Sequence, residues 1–412
     1  MPARALSHVR ICDFTGQLAG AGATRFLAAF GAQVIRVEDP VTEGRWDILR
    51  GAPPFVDDRR GVEFGGQFQN HNVEKLGVTI NLRTEAGKDL LRRLIAVSDI
   101  VAENFSAGVM DRLGFSYDAM RALRPDIVYV SNCGFGHTGP YARFKTWGPI
   151  VQAVSGLTFS SGLPGLPSAG WGYSYMDHTG GYYMAIAIMM ALHHRHVTGE
   201  GQWVDFSTVE AGVTLNGPAL LDHAANGRPL RREGMPHSNR GWPGRMAPHG
   251  IYPAAGDDAW IAIACRHDAD WAALAGQIGE AWAEDAGLAG LAGRIAELDA
   301  LDDRLAAWTG RHDATALAAR LQEAGVPATR VQTPEQRIED DPATVDWGLW
   351  PEVQHPLMGA VRVDGLPLRL SETDWEISRG APLLGQHNDV VFGDILGIDG
   401  AERDQLRAAG VI

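Results

Sequence analysis

In the N-terminal half of the chain, short β-branched runs alternate with segments of helical period: "VRICDF", a helical stretch over Ala23–Phe30, "QVIRVE", "GVTINL", a helical stretch over Ala86–Val97, "DIVAEN" and "DIVYVSN". Strands separated by helices cannot join through tight hairpins; they return by crossovers and pair in parallel. A parallel sheet is then covered by helices on both faces. The expected fold class is α/β, built on a Rossmann-like parallel sheet.

Residues Gly180–His194 follow as a helix long enough to be central, and the glycines of "TGEGQWVDFS" turn the chain into another strand. Residues 1–217 therefore read as the N-terminal part of a large α/β domain. Between 218 and 248 the composition shifts to Pro, Gly, Asn and Arg, the signature of a linker or an ordered long loop. "GIYPAAGDDAWIAIAC" has the form of a hairpin around a Gly-Asp-Asp turn, and with the alanine-rich helices after it defines a smaller α+β domain over 249–330. Residues 331–412 hold a Pro- and Asp-containing stretch, two short strands in "GAVRVDG" and "LPLRLS", and a closing amphipathic segment, "AERDQLRAAGVI". A length of 412 residues suits two such domains.

Composition narrows the function. A formal net charge of −14 disfavours nucleic acid and anionic membranes, which are met by basic faces. Cys12, Cys133 and Cys265 have no paired spacing, so neither a disulfide framework nor a zinc site is expected. "MPARALSHVRICDF" has no apolar leader core, and the longest strongly apolar run, Tyr182–Leu192, is too short to span a bilayer. A cytoplasmic protein is expected, without a membrane partner or a metal.

Four local patterns invite a chemical reading. After the first strand, Gly20 and Gly22 give G-x-G, with Glu38 or Asp39 near the place of a ribose-binding acid. Arg25, however, stands where a third glycine would let helix and strand pack closely, so no nicotinamide cofactor is expected. "HHRH" at 193–196 has adjacent imidazoles rather than an i, i+4 pair, and reads as a helix C-terminus. The loop 229–249 carries Arg231, Arg232, Arg240 and Arg245; guanidinium groups suit carboxylates and phosphates, although charges on a surface loop are commonly just solvated. Finally, "YSYMDHTGGYYMA" sets Asp177 and His178 ahead of a glycine pair and a buried-looking helix. Two readings stand for Asp177: a helix N-cap, or a nucleophile, since a carboxylate attacks an activated carbonyl once desolvated and aligned.

Taken in order, "CDFTGQLAGAGATRFLAAFGAQVIRVE", "VTINLRTEAGKDLL", "DIVAENFSAGVMDRLGFSYDAM", "VYVSNCGFGHTGPYA", "MDHTGGYYMAIAIMMALHHRHVTGEGQWVDFS", "QHPLMGAVRVDGLPLRLSET" and "APLLGQHNDVVFGDILG" resemble the class III (CaiB/BaiF, formyl-CoA transferase-like) CoA-transferase family over nearly the whole chain. The resemblance implies movement of CoA from an acyl-CoA thioester to a carboxylic acid, with coenzyme A arriving as acyl-CoA substrate. It assigns Asp177 as the nucleophile, with Gly180 and Gly181 admitting the thioester. It also implies that the smaller domain is inserted in the large one and that two chains interlock as a homodimer.

The CoA contacts carried by that resemblance are Leu18 and Ala19 after the first strand, and Asp39, at a position often basic in relatives. They continue with Ile80, Asn81, Leu82 and Arg83 in "VTINLRTE", Asn104, Phe105 and Ser106 in "ENFSAG", Arg112 in "MDRLG", and Lys145, Thr146, Trp147 and Gly148 in "FKTWG". Gly148 departs from the glutamate of oxalate-using relatives, and their glycine-rich lid is not recognisable. Arg240 and Arg245 favour a dicarboxylic or other acidic acceptor; Trp46, Trp147 and Trp242 would instead suit a bulky or aromatic acid. Three alternatives remain: an α-methylacyl-CoA racemase, which needs a second acid/base group but here reads "TWGPIV" where that branch has its histidine; intramolecular transfer within a dicarboxylyl-CoA; and a non-catalytic acyl-CoA binder or thioesterase.

Overall fold

The computed structural model describes residues 4–163, 165–172, 174–233, 235–240 and 244–412. They form two compact units, one made of Met1–Ser160, Ala169–Arg228 and Ala343–Ile412, the other of Ser161–Ser168 and Pro229–Pro342.

The first unit begins β1 (Arg10–Phe14), α1 (Ala19–Ala29), β2 (Gln33–Glu38), α2 (Gly66–Asn72), β3 (Leu76–Thr79), α3 (Glu85–Ala96) and β4 (Ile100–Glu103). It continues through α4 (Val109–Leu113), α5 (Tyr117–Leu123), β5 (Val128–Cys133), α6 (Gly148–Val154), α7 (Leu157–Ser160), α8 (Tyr175–Thr198), β6 (Trp203–Ser207), α9 (Thr208–Leu215) and α10 (Gly217–Asn226). The expected parallel sheet is present: six strands in the order β3-β2-β1-β4-β5-β6, every pair parallel. Side chains alternate across it. Ile11, Val34, Ile100 and Val128 pack with Leu27 of α1 and Met184 and Ile188 of α8 on one face; Cys12, Ile35, Val101 and Tyr129 pack with Leu91 and Leu94 of α3 on the other. The strand order reverses between β1 and β4, which leaves a crevice beyond their C-terminal ends.

In the second unit, β7 (His249–Pro253), β8 (Trp260–Ala264) and β9 (Ala328–Arg330) form an antiparallel sheet. The expected hairpin is β7–β8. Helices α11 (Asp268–Ile278), α12 (Leu291–Ala296), α13 (Leu298–Thr309) and α14 (Ala314–Glu323) lie between β8 and β9 in sequence. Their Trp271, Leu274, Leu305 and Leu321 share a core with Ile261 and Ile263 of β8.

The C-terminal return contributes α15 (Pro342–Trp347), a hairpin of β10 (Glu352–His355) with β11 (Gly359–Arg362), and α16 (Gly400–Ala408). It also covers the open edge of β3. His387 N–H donates to the Gly77 carbonyl at 2.9 Å, and Thr79 N–H donates to Asn388 Oδ1 at 2.9 Å. Unpaired strand groups are thereby satisfied within the chain.

Three local expectations are corrected. "LPLRLS" is not a strand; the partner of "GAVR" is "EVQH". Pro367 has no N–H for a ladder, and Leu366 is drawn into the core instead. The segment expected as a linker from 218 opens within helix α10. The central helix begins at Tyr175, not Gly180, with Ser174 as its N-cap residue, so Asp177 lies in the first turn and is not the cap.

Among the described residues no helix is long and apolar enough to cross a membrane, and no cluster of His, Cys, Asp or Glu could hold a metal ion.

Candidate active site

A cavity of about 350 Å³ opens at the crevice between β1 and β4. Its walls come from four strand ends: Gly16, Gln17 and Ala19 after β1, Asn104, Phe105 and Ser106 after β4, Asn132, Cys133 and Gly134 at the end of β5, and Thr208 after β6. The segment Phe144–Gly148, with Val151, closes one side, and Asp177 projects into it from α8.

Asn104 fixes the crevice. Its Oδ1 accepts Gly16 N–H at 2.7 Å and its Nδ2 donates to the Gly16 carbonyl at 3.0 Å, bridging the turns that follow β1 and β4. Phe105 is held by its own N–H, which donates to Glu103 Oε2 at 2.6 Å, while Glu103 Oε1 accepts the Tyr129 hydroxyl at 2.9 Å. Burial pushes the Glu103 carboxyl up to about 7, despite those two donors.

Asp177 is half-buried, and partial desolvation pushes its carboxyl up to about 6; a hydrogen bond from the Ser174 hydroxyl works in the opposite direction. Gly148 lies against it: a Cβ built there would sit 1.9 Å from Asp177 Oδ2. Any side chain at 148 must therefore displace the carboxylate. Gly180 and Gly181, expected beside the thioester, are placed away from this cavity. Both are inside α8, where a Cβ at 180 would meet Thr208 Cγ2 at 2.6 Å and one at 181 the Ala19 carbonyl oxygen at 2.8 Å. They permit helix packing, and neither lines the cavity.

Of the CoA contacts carried by resemblance, Ala19, Asn104, Phe105, Ser106, Lys145, Thr146, Trp147 and Gly148 share this cavity with Asp177. Lys145 and Trp147 are exposed beside it. Leu18 is buried against Leu49 and Phe68. Ile80 and Leu82 belong to the core on the α3 side of the sheet, and Asn81 Nδ2 donates to the Gly410 carbonyl at 3.0 Å. Asp39 and Arg83 form an ion pair with each other at 3.3 Å, on the exposed side of the same unit, and Arg112 is exposed on α4. Glu38, the other acid near the ribose position, is fully buried between Arg36 and Arg50.

Arg240 and Arg245 belong to the second unit. The Arg240 guanidinium is engaged by Asp299 at 2.6 Å and Asp302 at 2.8 Å, whereas Arg245 is exposed and has no ion pair among the described residues. Trp242 lies outside the described residues.

Sequence reasoning had no local signal for Asn132, Thr208 or Phe144 as cavity walls, nor for the way Trp46 reaches it. Arg36, buried on β2, places Trp46: it pairs with Asp47 at 2.7 Å and its guanidinium stacks 5.3 Å from the Trp46 ring, which meets Phe105 at 5.3 Å.

The chain is similar to known proteins over nearly its full length. The model of CoA-transferase family III matches residues 6–388. The chain is 32% identical over 412 residues to a succinyl-CoA–D-citramalate CoA-transferase of Chloroflexus aurantiacus, covering 100% of this chain and 99% of that one. It is 30% identical over 428 residues to a formyl-CoA:oxalate CoA-transferase of Streptomyces coelicolor, covering all of both. A CaiB/BaiF family protein from Brucella suis superposes with a TM-score of 0.84 at 30% identity, over 96% of this chain and 99% of its own. A cavity at the sheet's switch point with a desolvated carboxyl in its wall, and full-length matches in both sequence and fold, lead to one conclusion: the chain belongs to CoA-transferase family III.

Proposed function

We propose that the protein transfers CoA from an acyl-CoA to a carboxylic acid, with Asp177 as nucleophile. The observation that carries this reading is the placement of the Asp177 carboxyl, desolvated and held against Gly148, in the wall of the cavity. Desolvation makes a carboxylate more nucleophilic, and exclusion of water protects an activated acyl group from hydrolysis.

In this mechanism Asp177 attacks the thioester carbonyl; the C–S bond breaks, giving a mixed anhydride and CoA thiolate. The thiolate attacks the aspartyl carbon of the anhydride, which releases the donor carboxylate and leaves an aspartyl-CoA thioester. An acceptor carboxylate attacks that thioester, forming a second anhydride and again freeing the thiolate. The thiolate attacks the acyl carbon, yielding the new acyl-CoA and regenerating Asp177. Thioester is exchanged for thioester, so no ATP is consumed. Lys145, exposed beside the cavity, is suited to a phosphate of the bound nucleotide.

An acidic acceptor remains the preferred class. Both named relatives act on acids with two carboxyl groups, D-citramalate and oxalate. Within the basic loop the role falls to Arg245, since Arg240 is already paired. Trp46 and Trp147 in the cavity wall leave room for the rival reading, a bulky or aromatic acid. The racemase alternative requires an acid/base group opposed to Asp177. No histidine lines the cavity among the described residues, and burial pushes the Cys133 thiol up to about 12.

A homodimer is proposed as the working form. Tyr182, Ile186, Met189 and Met190 of α8 line an apolar groove of about 640 Å³ with Phe26 and Leu368, the kind of surface a second copy would cover. A monomeric mass by light scattering would reject it.

The test of function is mass spectrometry of the acyl-CoA pool after incubation in deuterium oxide with a panel of acyl-CoAs, with and without mixed carboxylic acids, beside Asp177→Ala. A new or isomeric thioester, lost in the variant, is expected. One deuterium gained with no new thioester would mean α-proton chemistry instead.

A further inference from the structure

Arg25 is the residue that breaks the glycine pattern after β1, and the cavity just described makes no use of it. It is 7% exposed, and its Nε and Nη2 have no hydrogen-bond partner among the described residues. Those two nitrogens lie on one side of the guanidinium, where their N–H bonds are parallel and spaced to meet the two oxygens of one carboxylate. A buried cationic fork left unmatched is costly, so it calls for an acceptor.

Arg25 lines a separate hollow of about 50 Å³, shared with His71, His178 and Asp364 and with apolar groups that include Leu18 and Leu366. Asp364 is near enough to favour the charged guanidinium, but it is held elsewhere: its Oδ2 accepts Asn70 Nδ2 at 2.7 Å. The imidazoles of His71 and His178 stand 5.6 Å apart, and His71 Nδ1 lies 2.9 Å from the Gln67 carbonyl, which leaves Nε2 as its free face. Burial pushes His71 down to about 4, which leaves its ring neutral near pH 7, and desolvation lowers His178 as well. Among the described residues, the carboxylate that favours the Arg25 charge is thus bound to another residue.

We propose that this hollow is a second carboxylate-binding site, distinct from the Asp177 cavity, in which the Arg25 fork grips a one- or two-carbon acid while His71 and His178 flank it. A volume of about 50 Å³ suits a small acid. Because His178 follows Asp177 in the first turn of α8, an occupant would touch the nucleophile's own helix. The site does not depend on CoA transfer and stands or falls separately from it.

The probe is [13C]acetate, followed by line broadening with the full-length protein at constant ionic strength, in wild type, Asp177→Asn, Arg25→Gln and Arg25→Lys. Saturable binding in the range of about 1–10 mM is expected in wild type and Asp177→Asn. Weakening of at least about tenfold is expected in both Arg25 variants, since lysine keeps the charge without the fork. Binding lost in Asp177→Asn and kept in Arg25→Gln would overturn the proposal, as would no saturable binding in wild type. If the Arg25 variants do not fold, the imidazole resonances of His178 in wild type decide. Acetate must raise the His178 titration midpoint, because an adjacent anion favours the charged imidazole; an unmoved midpoint would overturn the site.

Discussion

A methyl group on Gly148 would lie 1.9 Å from Asp177 Oδ2. Gly148→Ala must therefore move the carboxylate, and displacement of a reacting group by about 1 Å costs on the order of 100-fold in rate. We expect kcat/KM to fall by about that factor, with an unchanged circular dichroism spectrum. Wild-type kinetics in Gly148→Ala would show that the carboxylate position does not limit the reaction.

Replacing Asp177 by Asn should abolish transfer and stabilise the fold. In the folded chain the carboxyl holds its proton to about pH 6, against an ordinary aspartate value of 3.8. The folded state thus binds more protons between those values, and stability falls as pH rises through that window. The loss is at most about 3 kcal/mol above it, at 1.36 kcal/mol per pH unit. Asp177→Asn removes this dependence, so urea midpoints of the two proteins should converge near pH 4 and separate, variant higher, near pH 7.5.

The same carboxyl sets the acid limb of activity. As a nucleophile Asp177 works ionised, so kcat/KM should rise with pH around a midpoint near 6. The Ser174 hydroxyl favours the ionised form by hydrogen bonding to it. Ser174→Ala should move the midpoint upward, and a midpoint unchanged or lowered in that variant would contradict the assignment.

Asn104→Ala leaves the Gly16 N–H and carbonyl without their bridge. Loss of a part-buried pair of this kind costs about 1–3 kcal/mol. If the crevice holds the thioester, the KM for acyl-CoA should rise by roughly tenfold, with the acceptor KM less affected; initial-rate kinetics with each substrate varied separates the two.

Arg240 and Arg245 should part company. Arg240 bonds two acids of α13, and Asp302 also accepts the Tyr252 hydroxyl at 2.7 Å. Arg240→Ala is expected to destabilise the second unit by about 1 kcal/mol, since the pairs are partly solvated. Arg245→Ala should leave stability unchanged and raise the acceptor KM; an unaltered acceptor KM removes Arg245 from acid recognition.

The parallel sheet was legible because its strands are β-branched runs bounded by helices, a pattern that packing does not override. The start of α8 was not. Gly180 and Gly181 look like helix breakers in isolation, yet contacts with Thr208 and Ala19 leave no space for a Cβ at either position, so tertiary packing determines what propensity misreads. Asp177 was found through resemblance and not through spacing, and its reading as a cap failed only once Ser174 was seen to hold that position. Trp46 shows the limit of local pattern: its place depends on Arg36, on another element, pairing with Asp47.

The seam between β3 and the segment around His387 and Asn388 bears on the order of assembly in the cell. Those bonds join positions 310 and 309 residues apart in sequence. While the chain is being synthesised, the outer edge of β3 waits as an open ladder until residue 388 has emerged, and ribosome-bound intermediates are the species most exposed to sticking edge to edge. The sheet that shapes the cavity is therefore completed only after synthesis has passed residue 388.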